Sequence, residues 1–181
     1  MITIEDALRI ALEAHDGQKD LDGNPVILHP MTVAAAGRNR EEQIAGLLHD
    51  VVEDTDFTFD ELLRRGVDET VVDALRLLTH DKEQMTYEEY VQRIATSGND
   101  IAIHVKYNDL CHNLKRGRAG GHLKQVTKHE KALAIIEPLI QSNMKKREAN
   151  FRLIDPMTGK ETLVNATQNI ENRKSETAHQ R

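Results

Sequence analysis

The sequence predicts an all-α fold: one bundle of about eight helices followed by a polar extension. Three observations predict it. Apolar residues recur at spacings of three and four in successive stretches, and Gly, Pro, Asn and Asp separate those stretches. Thr residues followed three positions later by an acid stand at the start of several of them. No stretch alternates apolar and polar residues in the manner of a convincing strand.

Taken in order, Thr3 is placed to cap a helix carrying Ile4, Ala7, Leu8, Ala11 and Leu12. Residues 15–28 hold Gly17 and Asp22-Gly23-Asn24-Pro25 with little periodicity, and read as a loop with a tight turn. Pro30 fits the first turn of the next helix and leaves His29 just outside it. Residues 40–54 read as one helix. Thr58-Phe59-Asp60-Glu61 is a capping-box signature for a short helix ending near Gly66, and Asp68 opens another with Val71, Val72, Leu75 and Leu78 as its stripe. Thr86-Tyr87-Glu88-Glu89 is a second capping box, for a helix through Ala95. Ser97-Gly98-Asn99-Asp100 breaks the chain, and residues 101–115 resume helix with Ile101, Ala102 and Val105 toward the core. Gly117, Gly120 and Gly121 mark a loop. A last helix runs from about 123 to 142, with Pro138 near its end.

Length and composition bound what such a bundle is for. The 181 residues suit one domain of ordinary size, read here as residues 1–142 with 143–181 as an extension or tail. Aromatics are 3% and Trp is absent, so Leu, Ile, Val and Ala must fill the core. There is no apolar run long enough to span a bilayer and no secretory signal at Met1. The single Cys111 allows no internal disulfide and no thiolate cluster; the expectation is a cytoplasmic protein without a membrane partner. Residues 1–142 carry 16 Lys+Arg against 25 Asp+Glu, a net −9, whereas residues 143–181 carry 8 against 5, a net +3. So acidic a body argues against nucleic acid as a partner. The local exception is Lys115, Arg116, Arg118, Lys124, Lys128 and Lys131 against one acid, Glu130. That run is either a solvated helical face or a clamp for a phosphorylated substrate. No Gly-rich phosphate loop occurs, which excludes a nucleotide motor or a dinucleotide enzyme of the usual kinds. Oligomeric state is open, a homo-oligomer included.

Chemistry concentrates in Gly46-Leu47-Leu48-His49-Asp50-Val51-Val52-Glu53-Asp54-Thr55. His49 and Asp50 offer an imidazole and a carboxylate to one ion. Helical spacing puts Glu53 a turn above His49, and Asp54 a turn above Asp50. Such an edge suits a metal that activates water, with a carboxylate beside it to move the proton. His29, at the start of one helix, and Asp109, within Val105-Lys106-Tyr107-Asn108-Asp109-Leu110-Cys111-His112-Asn113, complete a set of four candidate ligands. Asn113 shares a face with Asp109. Two imidazoles and two carboxylates suit Mn²⁺ or Fe²⁺, with Mg²⁺ also admitted. The remaining histidines, His15, His80, His104, His112, His122, His129 and His179, read as non-ligands, with His80 and His112 nearest to the candidate set in sequence.

His29-Pro30, His49-Asp50, Glu53-Asp54-Thr55 and Lys106…Asp109…Asn113 resemble the motifs of the HD-domain metal-dependent phosphohydrolases of the RelA/SpoT hydrolase type. Ala14-His15-Asp16-Gly17-Gln18-Lys19 and Leu78-Thr79-His80-Asp81-Lys82 add to the resemblance, which covers roughly residues 5–140. The chain is too short for the synthetase domain of the long members, and is similar instead to the small alarmone hydrolases. The resemblance implies one Mn²⁺ held by His29, His49, Asp50 and Asp109, with Glu53 and Asp54 orienting and deprotonating the attacking water. It implies a nucleotide 3′-diphosphate such as guanosine tetraphosphate as substrate, with an adenosine analogue as a variant. Hydrolysis would release pyrophosphate and leave the 5′-nucleotide. Lys19 and Asn113 match substrate-contacting positions, Arg116 stands where many members have Thr, and Lys82 is a phosphate contact on charge alone. Val26, Leu110 and Ile135-Ile136-Glu137-Pro138-Leu139 depart from the family pattern around the pocket. Two other functions fit the same motifs: a phosphatase acting on NADPH or nucleotide monophosphates, and a non-catalytic nucleotide-sensing module.

Overall fold

Nine helices and one hairpin make up the described part of the chain, for which the computed structural model describes residues 2–154 and 161–165, with side chains described for residues 2–142. Chain contacts divide the protein into two units, Met1–Glu137 and Pro138–Arg181. The first unit holds α1 (Ile4–Ala14), α2 (Leu28–Ala35), α3 (Arg40–Leu48), α4 (Val51–Asp54), α5 (Phe59–Arg64), α6 (Glu69–Leu78), α7 (Tyr87–Thr96) and α8 (Asp100–Ala119). Helix α9 (Leu123–Ala149) begins in it and runs on past its boundary.

Helix α3 is the axis of the first unit, packing on α1, α2, α6 and α8. Its residues Ile44, Ala45, Gly46, Leu47 and Leu48 are all buried, because neighbours surround its second half. Leu62, Val71, Leu75, Ile94, Leu110 and Ile136 close the core around it. Each such large side chain contributes roughly 1.5–3 kcal/mol by leaving water, and aliphatic residues do this without Trp. Gly46 sets the closest approach: a Cβ there would lie 2.8 Å from the Ala34 Cα and 2.9 Å from its N. Only a hydrogen at Gly46 lets α2 and α3 come so near, and this nearness brings His29 to His49.

The capping signals act as their chemistry requires. Thr3 and Thr86 form complete capping boxes with Asp6 and Glu89. Thr58 accepts from the Glu61 N–H, whereas Asp68 makes no side-chain cap and instead meets Arg40 at 3.1 Å.

Four expectations are corrected. The helix expected over 40–54 breaks at His49-Asp50 into α3 and α4. The His49 Nδ1 lies 2.8 Å from the Gly46 carbonyl, the acceptor an unbroken helix would offer to the Asp50 N–H, and Asp50 sits at φ −97° and ψ −7°. His29 lies inside the first turn of α2 rather than outside it. Pro30 is tolerated there because the first helical N–H groups lack intrahelical acceptors anyway. Helix α9 does not end soon after Pro138 but runs on to Ala149. Finally, within the stretch read as a polar tail, β1 (Asn150–Ile154) and β2 (Glu161–Asn165) pair antiparallel, Asn150 opposite Asn165 and Ile154 opposite Glu161. The helical reading holds for Met1–Glu137; the strands belong to the other unit.

Candidate functional site

The break at His49-Asp50 turns both side chains toward the N-terminal turn of α2 and the middle of α8. The His29 Nε2 lies 3.1 Å from Asp109 Oδ1 and 3.7 Å from Asp50 Oδ2. The His49 Nε2 lies 3.3 Å from Asp50 Oδ1 and 3.8 Å from Asp109 Oδ1. Four groups from three segments thus converge, with donor atoms of His29, His49 and Asp50 all within 4.8 Å of one another. His29, His49 and Asp109 are buried and Asp50 is partly open.

The donor set fits a metal ion. His49 Nδ1–H donates to the Gly46 carbonyl, which leaves Nε2 as the nitrogen that would bind an ion, and that buried nitrogen has no hydrogen-bond partner. Burial works against charge on the His49 imidazole, yet Asp50 and Asp109 push it up to about 9. The cluster therefore draws positive charge to itself. Asp109 shows the same balance from the other side. Burial alone would lift it, but the Lys106 ammonium and the imidazoles of His29 and His49 hold it well below the usual carboxylate range.

Around the cluster lies a cavity of about 260 Å³ lined by Glu53, Asp54, His80, Lys82, Lys106 and Asn113, among others. Glu53 is held by the His80 N–H at 2.9 Å and by the Lys82 ammonium at 3.0 Å. Lys82, expected as a phosphate contact on charge alone, is paired with Glu53, and its side chain is 68% exposed. Burial raises the Asp54 carboxyl, and Asp50 and Glu53 raise it further. Asn113 donates to Asp109 Oδ1 and accepts from Arg116 at 2.9 Å; Arg116 also meets Asp20 at 3.1 Å. Both residues line the cavity; the Asn113 amide and the two terminal nitrogens of Arg116 are engaged, whereas the buried Arg116 Nε has no hydrogen-bond partner. Lys19 lies elsewhere, in an adjoining cavity of about 300 Å³ that shares His29, Asp50, Asp54, Asn113, Arg116 and His129 with the first.

The basic run of residues 115–131 does not form a single clamp. Arg116 and Lys128 reach the metal-side cavity, whereas Lys124, Lys128 and Lys131 line a separate groove with Tyr87 and Val91. Arg118 pairs with Glu130 at 2.9 Å.

Sequence reasoning gives no role to Lys106, Tyr90 or His112. Lys106 is buried, meets Asp109 Oδ2 at 2.8 Å, and lies 4.9 Å from the Tyr90 ring centroid and 5.5 Å from that of Tyr87. The i, i+3 spacing of Lys106 and Asp109 is the signal that would have found it. Tyr90 is fixed by its hydroxyl, which donates to the Leu78 carbonyl. His112 Nδ1 lies 2.7 Å from His29 Nδ1. Burial, the adjoining His29 imidazole and the Arg116 guanidinium push its imidazole down to about 4.

No family model matches the chain. Among curated proteins, it is 36% identical over 155 residues to a putative GTP diphosphokinase RSH1, chloroplastic, of Oryza sativa, a match covering 75% of this chain and 17% of that one. It is 34% identical over 146 residues to a GTP pyrophosphokinase of Streptomyces coelicolor, again covering 75% of this chain and 17% of the other. With the bifunctional (p)ppGpp synthase/hydrolase SpoT of Escherichia coli it shares 34% identity over 123 residues, 62% of this chain and 18% of SpoT. The chain thus spans less than a fifth of the length of these relatives. A solved structure of a metazoan ortholog of SpoT, described as hydrolysing ppGpp, matches with a TM-score of 0.60 at 23% identity. That match covers 80% of this chain and 94% of the other, and it shows the fold. Among the described residues, no helix is long and apolar enough to cross a membrane. Over three quarters of its length this chain is thus similar in sequence to GTP diphosphokinase- and SpoT-type relatives, and it shares the fold of the SpoT ortholog.

Proposed function

We propose that this protein hydrolyses a nucleotide 3′-diphosphate of the guanosine tetraphosphate or pentaphosphate type, releasing pyrophosphate and leaving the 5′-nucleotide. The observation that carries the reading is one cavity holding His29, His49, Asp50 and Asp109 together with Glu53 and Asp54. The four would hold Mn²⁺, with Fe²⁺ or Mg²⁺ as alternatives, and a bound ion of this class lowers the pKa of water and offsets charge on phosphate oxygens.

The chain's own groups account for the remaining work. Asp54, raised by burial and by its acidic neighbours, is the side chain suited to accept the proton of the attacking water. Glu53, pinned by the His80 N–H and Lys82, fixes the orientation of that water. Lys82, Lys106, Arg116 and Lys128 supply positive charge around the leaving diphosphate. Phosphoryl chemistry of this kind needs little covalent help, so positioning dominates.

The deciding experiment incubates the Mn²⁺ form with a panel of nucleotides and identifies products by mass. Pyrophosphate from the 3′-diphosphates is the expected outcome, and Glu53→Gln should keep metal and substrate while losing most turnover. Orthophosphate released from NADPH or monophosphates, with the 3′-diphosphates untouched, would replace the reading with a phosphatase. Turnover unchanged by chelation would remove both.

A further inference from the structure

The two candidate imidazole ligands are oriented in different ways. A histidine that ligates through Nε2 must carry its proton on Nδ1, and the partner of Nδ1 fixes that tautomer. For His49 the partner is the Gly46 carbonyl at 2.8 Å, which can only accept. For His29 it is another histidine. The two Nδ1 atoms lie 2.7 Å apart, with ring centroids 5.0 Å apart and planes 10° from parallel, so the rings meet edge to edge. Nitrogens at that distance share one proton, so one ring donates and the other accepts.

Two arrangements of the pair satisfy this. In one, His112 Nδ1–H donates to His29 Nδ1, and His29 carries its own proton on Nε2, where Asp109 Oδ1 at 3.1 Å accepts it. In the other, His29 Nδ1–H donates to His112 Nδ1, His112 carries its proton on Nε2, and the His29 Nε2 lone pair faces Asp50 and Asp109. Each ring holds one proton in both. Between them, one proton crosses the Nδ1···Nδ1 bond, His29 Nε2 gives a proton to water, and His112 Nε2 takes one.

We propose that His112 is a positioning residue that sets the ligating tautomer of His29 by accepting its Nδ1 proton. The helical spacing suits His112 to this role. It follows Asp109 by three residues on α8, so one turn of helix offers both a carboxylate to His29 Nε2 and an acceptor to His29 Nδ1. The edge-to-edge hydrogen bond aligns the His29 ring with that of His112 and fixes its proton. The inference rests on the metal reading of the cluster.

The test uses the full chain and two substitutions. His112→Asn puts an amide oxygen close to where Nδ1 stood and keeps the acceptor. His112→Phe keeps a flat aromatic ring and removes the acceptor. Calorimetric titration with Mn²⁺ should show His112→Phe weakened about 10- to 100-fold, with His112→Asn within a few-fold of wild type. Nitrogen-15 NMR of the wild-type histidine rings, with diamagnetic Zn²⁺ as the probe ion, should show His29 protonated at Nδ1 and His112 at Nε2. Equal Mn²⁺ affinity for wild type and His112→Phe overturns the proposal. So does a Zn²⁺-bound His29 with its proton elsewhere, a reading of the wild type that stands even should His112→Phe misfold. Wild type that binds neither ion is a separate result, and it sinks the metal centre itself.

Discussion

Asp109 carries more of this site than a ligand's share. Its two oxygens meet Lys106 at 2.8 Å, His29 at 3.1 Å and His49 at 3.8 Å, and Asn113 donates to it as well. Lys106 and Asp109 are both buried, so each is tolerated in the interior only because the other is present. Removing the charge of Asp109 strands an ammonium among Tyr87, Tyr90 and the core. Breaking a buried pair from one side costs about 3–5 kcal/mol. Asp109→Asn is therefore expected to lose metal binding and also to lower stability by about 3 kcal/mol. Adding Lys106→Met should return much of the stability and none of the metal binding, read by urea denaturation and calorimetric titration. A stable Asp109→Asn single variant would show that Lys106 does not depend on it. The sequence shows Asp109 as a ligand candidate and Lys106 in the same motif, but not that the two charges are buried against each other, because burial is decided by the fold.

At the scale of elements, the decisive events are a break and a close approach, and neither is a matter of periodicity. Apolar spacing predicts helices where α1, α6 and α7 form, since each buries one stripe. It cannot show that α3 stops at Leu48, because the break depends on a ring nitrogen meeting the Gly46 carbonyl. Nor can it show why Gly46 is needed, since the reason lies on α2. The contact that anchors the start of α3, a start that the sequence places correctly at residue 40, is equally hidden. Glu42 there is 1% exposed, yet charged. Burial favours its neutral form, but the Arg38 guanidinium and backbone N–H outweigh this and hold the carboxyl below its ordinary value. A depressed folded value gives stability that is present above the ordinary value near 4.5 and is lost as pH falls through the folded value. Glu42→Gln should therefore melt well below wild type at pH 7, by the equivalent of about 1–3 kcal/mol. The gap should narrow as pH drops below 4.5. Thermal melts of both proteins across that range check it; a gap constant with pH would mean that the charge of Glu42 contributes nothing.

For the whole molecule, the four candidate ligands come from α2, from the α3–α4 junction and from α8, segments that are far apart in sequence and share a core only once folded. The order of motifs along the chain points to this convergence, whereas the antiparallel pairing of Asn150–Ile154 with Glu161–Asn165 gives no comparable signal amid polar residues. A ligand set assembled only by folding has a thermodynamic consequence. An ion that binds the native state and not the unfolded chain stabilises by about 2.7 kcal/mol at a hundred times its Kd. For a chain of this size each kcal/mol raises Tm by about 2–4 °C. Saturating Mn²⁺ should then raise Tm by roughly 5–10 °C, and chelation should reverse the shift. Substituting one ligand, as in His49→Ala, should abolish the shift, and Lys19→Ala should leave it intact because Lys19 lies in the adjoining cavity. Calorimetric melts with and without the ion measure it. A wild-type Tm indifferent to Mn²⁺ would mean that the four groups do not close on a cation, and the chemistry assigned to Glu53 and Asp54 would lose its centre.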